Sequence, residues 1–438
     1  MIGLTLALVL AAPDPGPVVR LTVRPAAEPR PALAYRLLPD VRDLVPGNPV
    51  QWYVRCFAEQ RRFFYDKESV AERARLRKLP LAELAKADLS NYTRNPLIQA
   101  DWGARLDVPD WEVLKRVQDD GLAQKFAELD SLRVLGEALQ VRFRGEVARD
   151  DFAAAARTTQ TMFALARHLG EHPTTAANKV GIEIADMALD TLDEMVARPK
   201  CPNLYWALTD LPTPLVDVRK GVQGDRAVVL GELRGLKDDA AMTGAELDGL
   251  VGRLSGKIGL AREQAGRPPR GFRPRLDALV KDAGRVKDAK LRFVIEGRVE
   301  AVTKNFPPTQ VVLLEEKRAF DARCDDVFKL LNLPAWQLDE AAARASSPGG
   351  LFAELVPPAL EVRRVQAKLE QRVALLRCVE ALRLYAKANG GKPPDRLADV
   401  TVPLPADPMT GKPFGYAVDN GTATIVGRGR RYEVTIRD

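Results

Sequence analysis

Few side chains in this sequence have the type and spacing that chemistry demands. The only histidines are His168 and His172, and an i, i+4 pair can share a zinc ion on one helical face. Gly170 between them and Pro173 behind them interrupt such a helix, and there is no H-E-x-x-H. A pair of structural or exposed histidines and no metal site are the expectation. Glu183, Asp186, Asp190, Asp193 and Glu194 recur at helical spacing, so their carboxylates share a face. Dimetal bundle sites use such faces together with Glu-x-x-His pairs, which this chain lacks. A solvated acidic face, able to meet arginines of a neighbouring helix, is expected instead. Residues Gly252 to Lys257 have the outline of a phosphate loop, yet the first glycine is misplaced and Ile258 stands where Ser or Thr should follow the lysine. No G-x-S-x-G, dinucleotide fingerprint or calcium loop occurs. The expected catalytic residues are therefore none, and so are the cofactors.

Cys56, Cys201, Cys324 and Cys378 are far apart and form no C-x-x-C, which excludes zinc knuckles and redox motifs. In an oxidising compartment they allow two disulfides in three connectivities; their apolar helical surroundings suit buried thiols. Tyr205 and Trp206, between Pro202 and Pro212, are either an interaction patch or a turn that anchors the core.

These residues must be positioned by a chain of 438 residues that is 46% hydrophobic, 29% charged and only 6% aromatic. That composition specifies a folded, helix-rich protein. The net charge of +7 permits contact with nucleic acid, anionic lipid or an acidic wall polymer. Arg61-Arg62 and the Arg267 to Arg275 stretch lack interleaved aromatics, so no specific nucleic-acid partner is expected. Leu4 to Leu10 is an apolar run, followed by Ala11-Ala12 and a Pro-rich stretch. This predicts a signal peptide over residues 1–11, export to the periplasm or cell surface, and a Pro-rich leader over 12–40. No later apolar stretch approaches the ~18 residues of a membrane helix, so no transmembrane span is expected in the mature chain.

Val19, Leu21 and Val23 alternate as in a strand, and Ala32 to Leu38 is a second extended candidate. From 41 to 220 the period is helical. Leu122, Phe126, Leu129, Leu132, Leu135, Leu139, Phe143 and Val147 form one stripe, and Phe152, Ala156, Thr159, Phe163 and Ala166 start another after Asp150-Asp151. These predict a tetratricopeptide-like αα-hairpin, with no second copy at a 34-residue period. Thr174 to Val196 supplies a further helix. Residues 221–355 read as a second helical region containing a mobile, Gly-punctuated, charged insertion, with a linker at Ser346 to Gly350. Residues 356–438 read as a long helix, Val362 to Ala388, followed by short strands turning at Asp419-Asn420-Gly421. The predicted fold is mainly α: a bundle-like helical body with a small C-terminal helix-plus-antiparallel-β module, which the N-terminal strand can join.

Within that module, Ala381 to Tyr385, Asn389-Gly390-Gly391-Lys392-Pro393, Leu397-Ala398-Asp399 and Leu404 to Tyr416 form a distinctive pattern. It resembles the C-terminal part of type II secretion pseudopilins and the ends of secreted planctomycete proteins of unknown function. Ala166 to Glu171, Asn203 to Pro212 and Pro307 to Leu314 also resemble one such uncharacterised helical family. The resemblance implies a secreted protein and says nothing of an activity. In some pseudopilins the matching loop holds calcium, but Asp407 alone is not a ligand set. Arg363, Arg364, Lys368, Glu370 and Arg372 place the 362–388 helix in water against a core, which argues against assembly by the pilin route.

The expected function is that of an exported, non-enzymatic scaffold or binding protein with another envelope protein as partner. The alternatives are a cell-envelope hydrolase using dispersed carboxylates such as Glu183 and Asp186, and a component associated with a secretion apparatus. A hydrolase should show a pocket of convergent polar groups with shifted acids, and a scaffold a groove or apolar patch. The pattern carries no signal for oligomeric state.

Overall fold

The computed structural model describes residues 16–437, apart from positions 94, 114, 117–120, 125, 265, 267, 269–270 and 345–348. The expected signal peptide lies outside the described residues, as do Ser346, Ser347 and Pro348 of the expected linker. The helical body is built on α1 (Val50–Glu59), α2 (Asn95–Gly103), α3 (Glu128–Ala148), α4 (Phe152–Gly170) and α5 (Thr175–Val196). Leu122 lies in a 3-10 turn over Gly121–Ala123 and Phe126 precedes α3; the two predicted stripes fold as α3, from Leu129 onward, and α4. Between them Asp150 takes the left-handed conformation (φ 57), and Asp151 caps α4 by accepting from the Ala154 N–H at 3.0 Å. Gly170 ends α4 and Thr174 caps α5, so His172 sits in a tight reversal, outside any helix. Gly181 is what lets α5 lie close to α4: a Cβ there would stand 2.7 Å from the Ala166 carbonyl oxygen.

Arg144 on α3 shows how a charged residue inside an apolar stripe is accommodated. It is buried, and it donates to the carbonyls of Leu76, Arg77 and Leu79 at 3.0, 2.7 and 2.8 Å and to the Glu194 carboxylate at 2.7 and 2.8 Å. Those carbonyls lie at and just past the C-terminal end of the Lys67–Leu76 helix, where carbonyls lack intrahelical partners.

Residues 221–275 are largely helical. Arg219–Glu232, α6 (Gly244–Gln264), Phe272–Val280, Ala283–Ile295 and α7 (Pro308–Leu330) bury Val229, Leu233, Leu250, Leu254, Phe272, Phe293, Phe320 and Phe352 in a second core of their own. The first core joins residues from Leu21 to Val218 with Val362 to Val434, so this second unit stands between two stretches of chain that pack together.

The C-terminal helix α8 (Ala359–Ala388) carries a four-stranded sheet in the order β1-β4-β3-β2, formed by β1 (Val18–Val23), β2 (Gly415–Asp419), β3 (Thr422–Gly427) and β4 (Arg430–Ile436). The N-terminal strand does join it. β2, β3 and β4 are antiparallel, and β1 runs parallel to β4 with Val19 opposite Tyr432 and Leu21 opposite Val434. The second extended candidate, Ala32 to Leu38, is not a strand. Prolines flank it, and the chain turns there instead, with the Ala34 N–H donating to the Pro31 carbonyl at 3.0 Å. The sheet meets α8 where Gly427 faces Gln371; a Cβ at 427 would lie 2.8 Å from the Gln371 amide nitrogen. Asp407 secures the same corner. Its carboxylate accepts from Gln371 Nε2, the Met409 N–H and the Arg428 N–H, each at 2.9 Å, so it closes a turn. Among the described residues no helix is long and apolar enough to cross a membrane.

Candidate functional site: two clefts on the helical body

The acidic face of α5 binds arginine. Arg372 of α8 reaches Asp186 at 2.8 Å, Asp190 at 2.7 Å and Asp193 at 3.4 Å, and Tyr432 of β4 donates to Asp193 at 3.0 Å. Burial pushes the Asp193 carboxyl up to about 6, against the pull of Arg372. Glu183 pairs separately with Arg133 at 2.7 Å, and Glu194 with Arg144 at 2.7 Å. The face therefore docks helices, and Glu183 and Asp186 do not converge on a cavity. A second internal pair, Glu380 and Arg383, is fully buried at 2.8 Å. Arg383 also donates to the carbonyls of Arg24, Cys201 and Pro202, tying β1 and the 201–204 turn to α8.

The histidines are structural members of the same body. His168 Nδ1 is 2.8 Å from the Tyr53 hydroxyl, and its carbonyl accepts from the Trp111 indole N–H at 2.9 Å. His172 lies between the Trp111 and Phe126 rings, each centroid 5.3 Å away, with Nδ1 2.9 Å from Thr174 Oγ1. Burial lowers both to about 3, so they are neutral at ordinary pH. No group of three or more His, Cys, Asp or Glu side chains is placed to hold a metal among the described residues. All four cysteines are free and buried. Tyr205 is wholly buried, its hydroxyl donating to the Pro403 carbonyl, and only Trp206 of that pair keeps partial exposure.

Two of the hollows on this framework are built from several elements. The larger, about 830 Å³, opens between Val50 and Val54 of α1, the Pro109 to Arg116 segment and the Glu171 to Pro173 turn. Trp111 and Val113 give it an apolar wall. Its charged rim is held in place: Arg116 pairs with Glu128 at 2.6 Å and Lys220 with Glu171 at 3.2 Å. A separate hollow of about 410 Å³, lined by Leu38, Leu44, Val108 and His168, shares Pro109, Glu171 and Lys220 with it.

The second site is polar, about 380 Å³, and lies where α2, α3 and α4 meet. Arg142 of α3 grips Asp101 of α2 with two bonds of 2.9 and 2.6 Å, and Thr161 of α4 donates to the same carboxylate at 2.7 Å. Arg142 Nε donates to Thr158 Oγ1 at 3.0 Å, and that hydroxyl donates to Glu146 at 2.7 Å. Burial pushes the Glu146 carboxyl up to about 7. Trp102, Arg105 and Arg157 complete the lining.

No known family, curated protein or solved structure matches the chain.

Neither hollow was visible in the sequence. Arg142 and Glu146 sit within the α3 apolar stripe, four residues apart, where helical periodicity marks the stripe and not which charges turn inward. Asp101 and Trp102 fall in a short helix with little amphipathic pattern. The usable signal was an Arg-x-x-x-Glu pair embedded in a run of leucines, since buried charges are rarely left unpaired.

Proposed function

We propose that this protein is an exported, non-enzymatic binding protein whose helical body holds an apolar segment of another envelope protein in the cleft at Trp111. The observation that carries this reading is the cleft itself, about 830 Å³ with Val50, Val54, Trp111 and Val113 on its walls. Small-ligand and side-chain sites are concave and mostly apolar, with few polar groups. The ion pairs at the rim fix the mouth without filling it. Export rests on the apolar Leu4 to Leu10 run and on the resemblance of residues 381–416 to secreted proteins, which also leaves a secretion-associated role in view.

One observation favours a hydrolase: Glu146 titrates near neutrality and shares a pocket with Asp101. Asp101, however, has both oxygens engaged by Arg142 and one also by Thr161, which makes it a poor nucleophile or base. The polar pocket suits recognition better than turnover.

The test is titration with the apolar dye 1-anilinonaphthalene-8-sulfonate, comparing the full chain with Val54→Asp. Saturable fluorescence that weakens roughly tenfold in the variant, at an unchanged melting temperature, supports the cleft as an apolar site, since a buried charge costs far more than that. Equal binding by both proteins removes the proposal. Export is tested by intact mass on native material: a mature chain beginning near Ala12 supports it, and one retaining Met1 refutes it.

A further inference from the structure

We propose that the polar pocket at Trp102 is a binding subsite for an acidic saccharide, a sugar ring bearing a carboxylate. This site is separate from the Trp111 cleft, and the inference stands or falls independently of that reading. It rests on the combination of groups the pocket brings together.

The first is an aromatic platform. Trp102 is 50% exposed at the pocket edge, and it is held edge-on against Trp52 with centroids 5.2 Å apart and planes at 85°. Arg55 lies 5.0 Å over the Trp52 ring, which braces that side chain in turn. An indole fixed in this way offers the apolar stacking surface that the C–H face of a sugar ring requires, at little cost in side-chain entropy.

The second is a set of oriented acceptors and donors. Glu146 Oε2 is occupied by Thr158, whereas the closest cation to Oε1 among the described residues is Arg142 Nε at 3.9 Å, too long for a hydrogen bond. Oε1 therefore has acceptor capacity for a ligand hydroxyl. Among the described residues Asp101 Oδ2 accepts only from Arg142 NH1 and keeps a second lone pair. Because Arg142 and Thr158 are locked by their own hydrogen bonds, these oxygens are held ready, with little to reorganise on binding.

The third is uncompensated positive charge. Arg142 is neutralised by Asp101 at 2.6 Å. Arg105 uses two of its five N–H donors on the Asp101 carbonyl and Gln160, and neither it nor Arg157 forms an ion pair among the described residues. Two guanidiniums thus face a pocket whose acids cannot balance them, which calls for one anionic group on the ligand. Planar guanidinium matches carboxylate geometry. A nucleotide also offers a ring and negative charge, but its phosphate monoester brings nearly two charges where the three guanidiniums exceed the two carboxyls of the lining by one. A sugar with several hydroxyls and one carboxylate satisfies all three groups. The volume of about 380 Å³ falls within the range of roughly 300–1,000 Å³ typical of small-ligand sites.

The experiment is calorimetric titration of the full chain with tetragalacturonate, alongside the neutral galactotetraose, adenosine monophosphate and inorganic phosphate. Saturable binding of tetragalacturonate is expected, weakened roughly tenfold by Trp102→Ala, by Arg157→Gln and by the loss of the ligand carboxylates. Arg157 is exposed on α4, so its replacement leaves the fold intact even should Trp102→Ala unfold the protein. Three results overturn the proposal: no saturable binding of tetragalacturonate, binding that survives both substitutions unchanged, or nucleotide or phosphate binding as tight as that of the acidic saccharide.

Discussion

Replacing Asp193 by Asn is expected to remove a pH dependence of stability that one buried carboxyl imposes on the fold. Asp193 is 8% exposed on α5, accepts from the Tyr432 phenol at 3.0 and 3.1 Å, and lies 3.4 Å from Arg372. Burial dominates and raises its pKa from 3.8 to about 6. The folded protein thus holds the proton more tightly than the unfolded chain does. The stabilisation from this group is complete below the unfolded value of 3.8 and is lost as pH rises through about 6. A shift of about two pH units corresponds to ~3 kcal/mol. Asparagine has the same shape, retains an oxygen for Tyr432 and does not titrate, while Arg372 keeps Asp186 at 2.8 Å and Asp190 at 2.7 Å. Urea unfolding of both proteins from pH 4 to 8 isolates the effect, because any constant offset from the altered Arg372 contact drops out of the comparison. The variant should gain ~3 kcal/mol on wild type across that range, with the m-value unchanged. A difference flat to within about 1 kcal/mol would refute the reasoning, since extrapolation error alone is of that order.

The histidines give the opposite slope. Their folded pKa values of about 3 lie below the unfolded 6.5, so their stabilisation is present above pH 6.5 and is lost as pH falls toward 3. His168→Gln, which can still pair with Tyr53, should remove ~3 kcal/mol of the loss between pH 6.5 and 4 in the same urea assay; an unchanged acid limb would count against it. The four buried thiols, each pushed up to about 12 by burial, should be silent to Ellman's reagent in the native protein and all react in guanidinium, whereas native reactivity would place a cysteine at the surface. Truncation after Asn389 removes Phe414, Ile425, Tyr432 and Val434 from the first core and should lower the melting temperature by roughly 10 °C or more. An unchanged melt, or unprotected amides over 392–438 in the full chain, would show the module to be a free tail.

Patterns with one dominant period were legible in the sequence. The α3 and α4 stripes, the stop at Gly170, the α5 start at Thr174 and the hairpin turn at Asn420-Gly421 all follow from helical spacing, capping and left-handed preference, which are local properties. The alternation of Val19, Leu21 and Val23 likewise specified a strand. Local pattern failed at Ala32 to Leu38, where apolar alternation was read as extended but the flanking prolines turn the chain.

What the sequence determined by itself, then, is the long helices α3, α4, α5 and α8, where they stop and the apolar faces that must be covered, because each is fixed by interactions within a few residues. Pairing across long separations was decided by the tertiary structure alone. β1 meets β4 because Arg383 of α8 holds the Arg24 carbonyl just past β1 while β3 and β4 pack on the same helix, and no local rule selects a partner some four hundred residues away. The same holds for charge. Arg142, Arg144, Arg372 and Arg383 look like solvated residues on their own helices, and each is buried because a carboxylate or an unpaired carbonyl on another element waits for it. Removing a guanidinium from water is tolerable only with such partners in place. The Trp111 cleft and the Trp102 pocket are spaces left between helices once those partners have met, which is why they belong to the fold and not to any stretch of sequence.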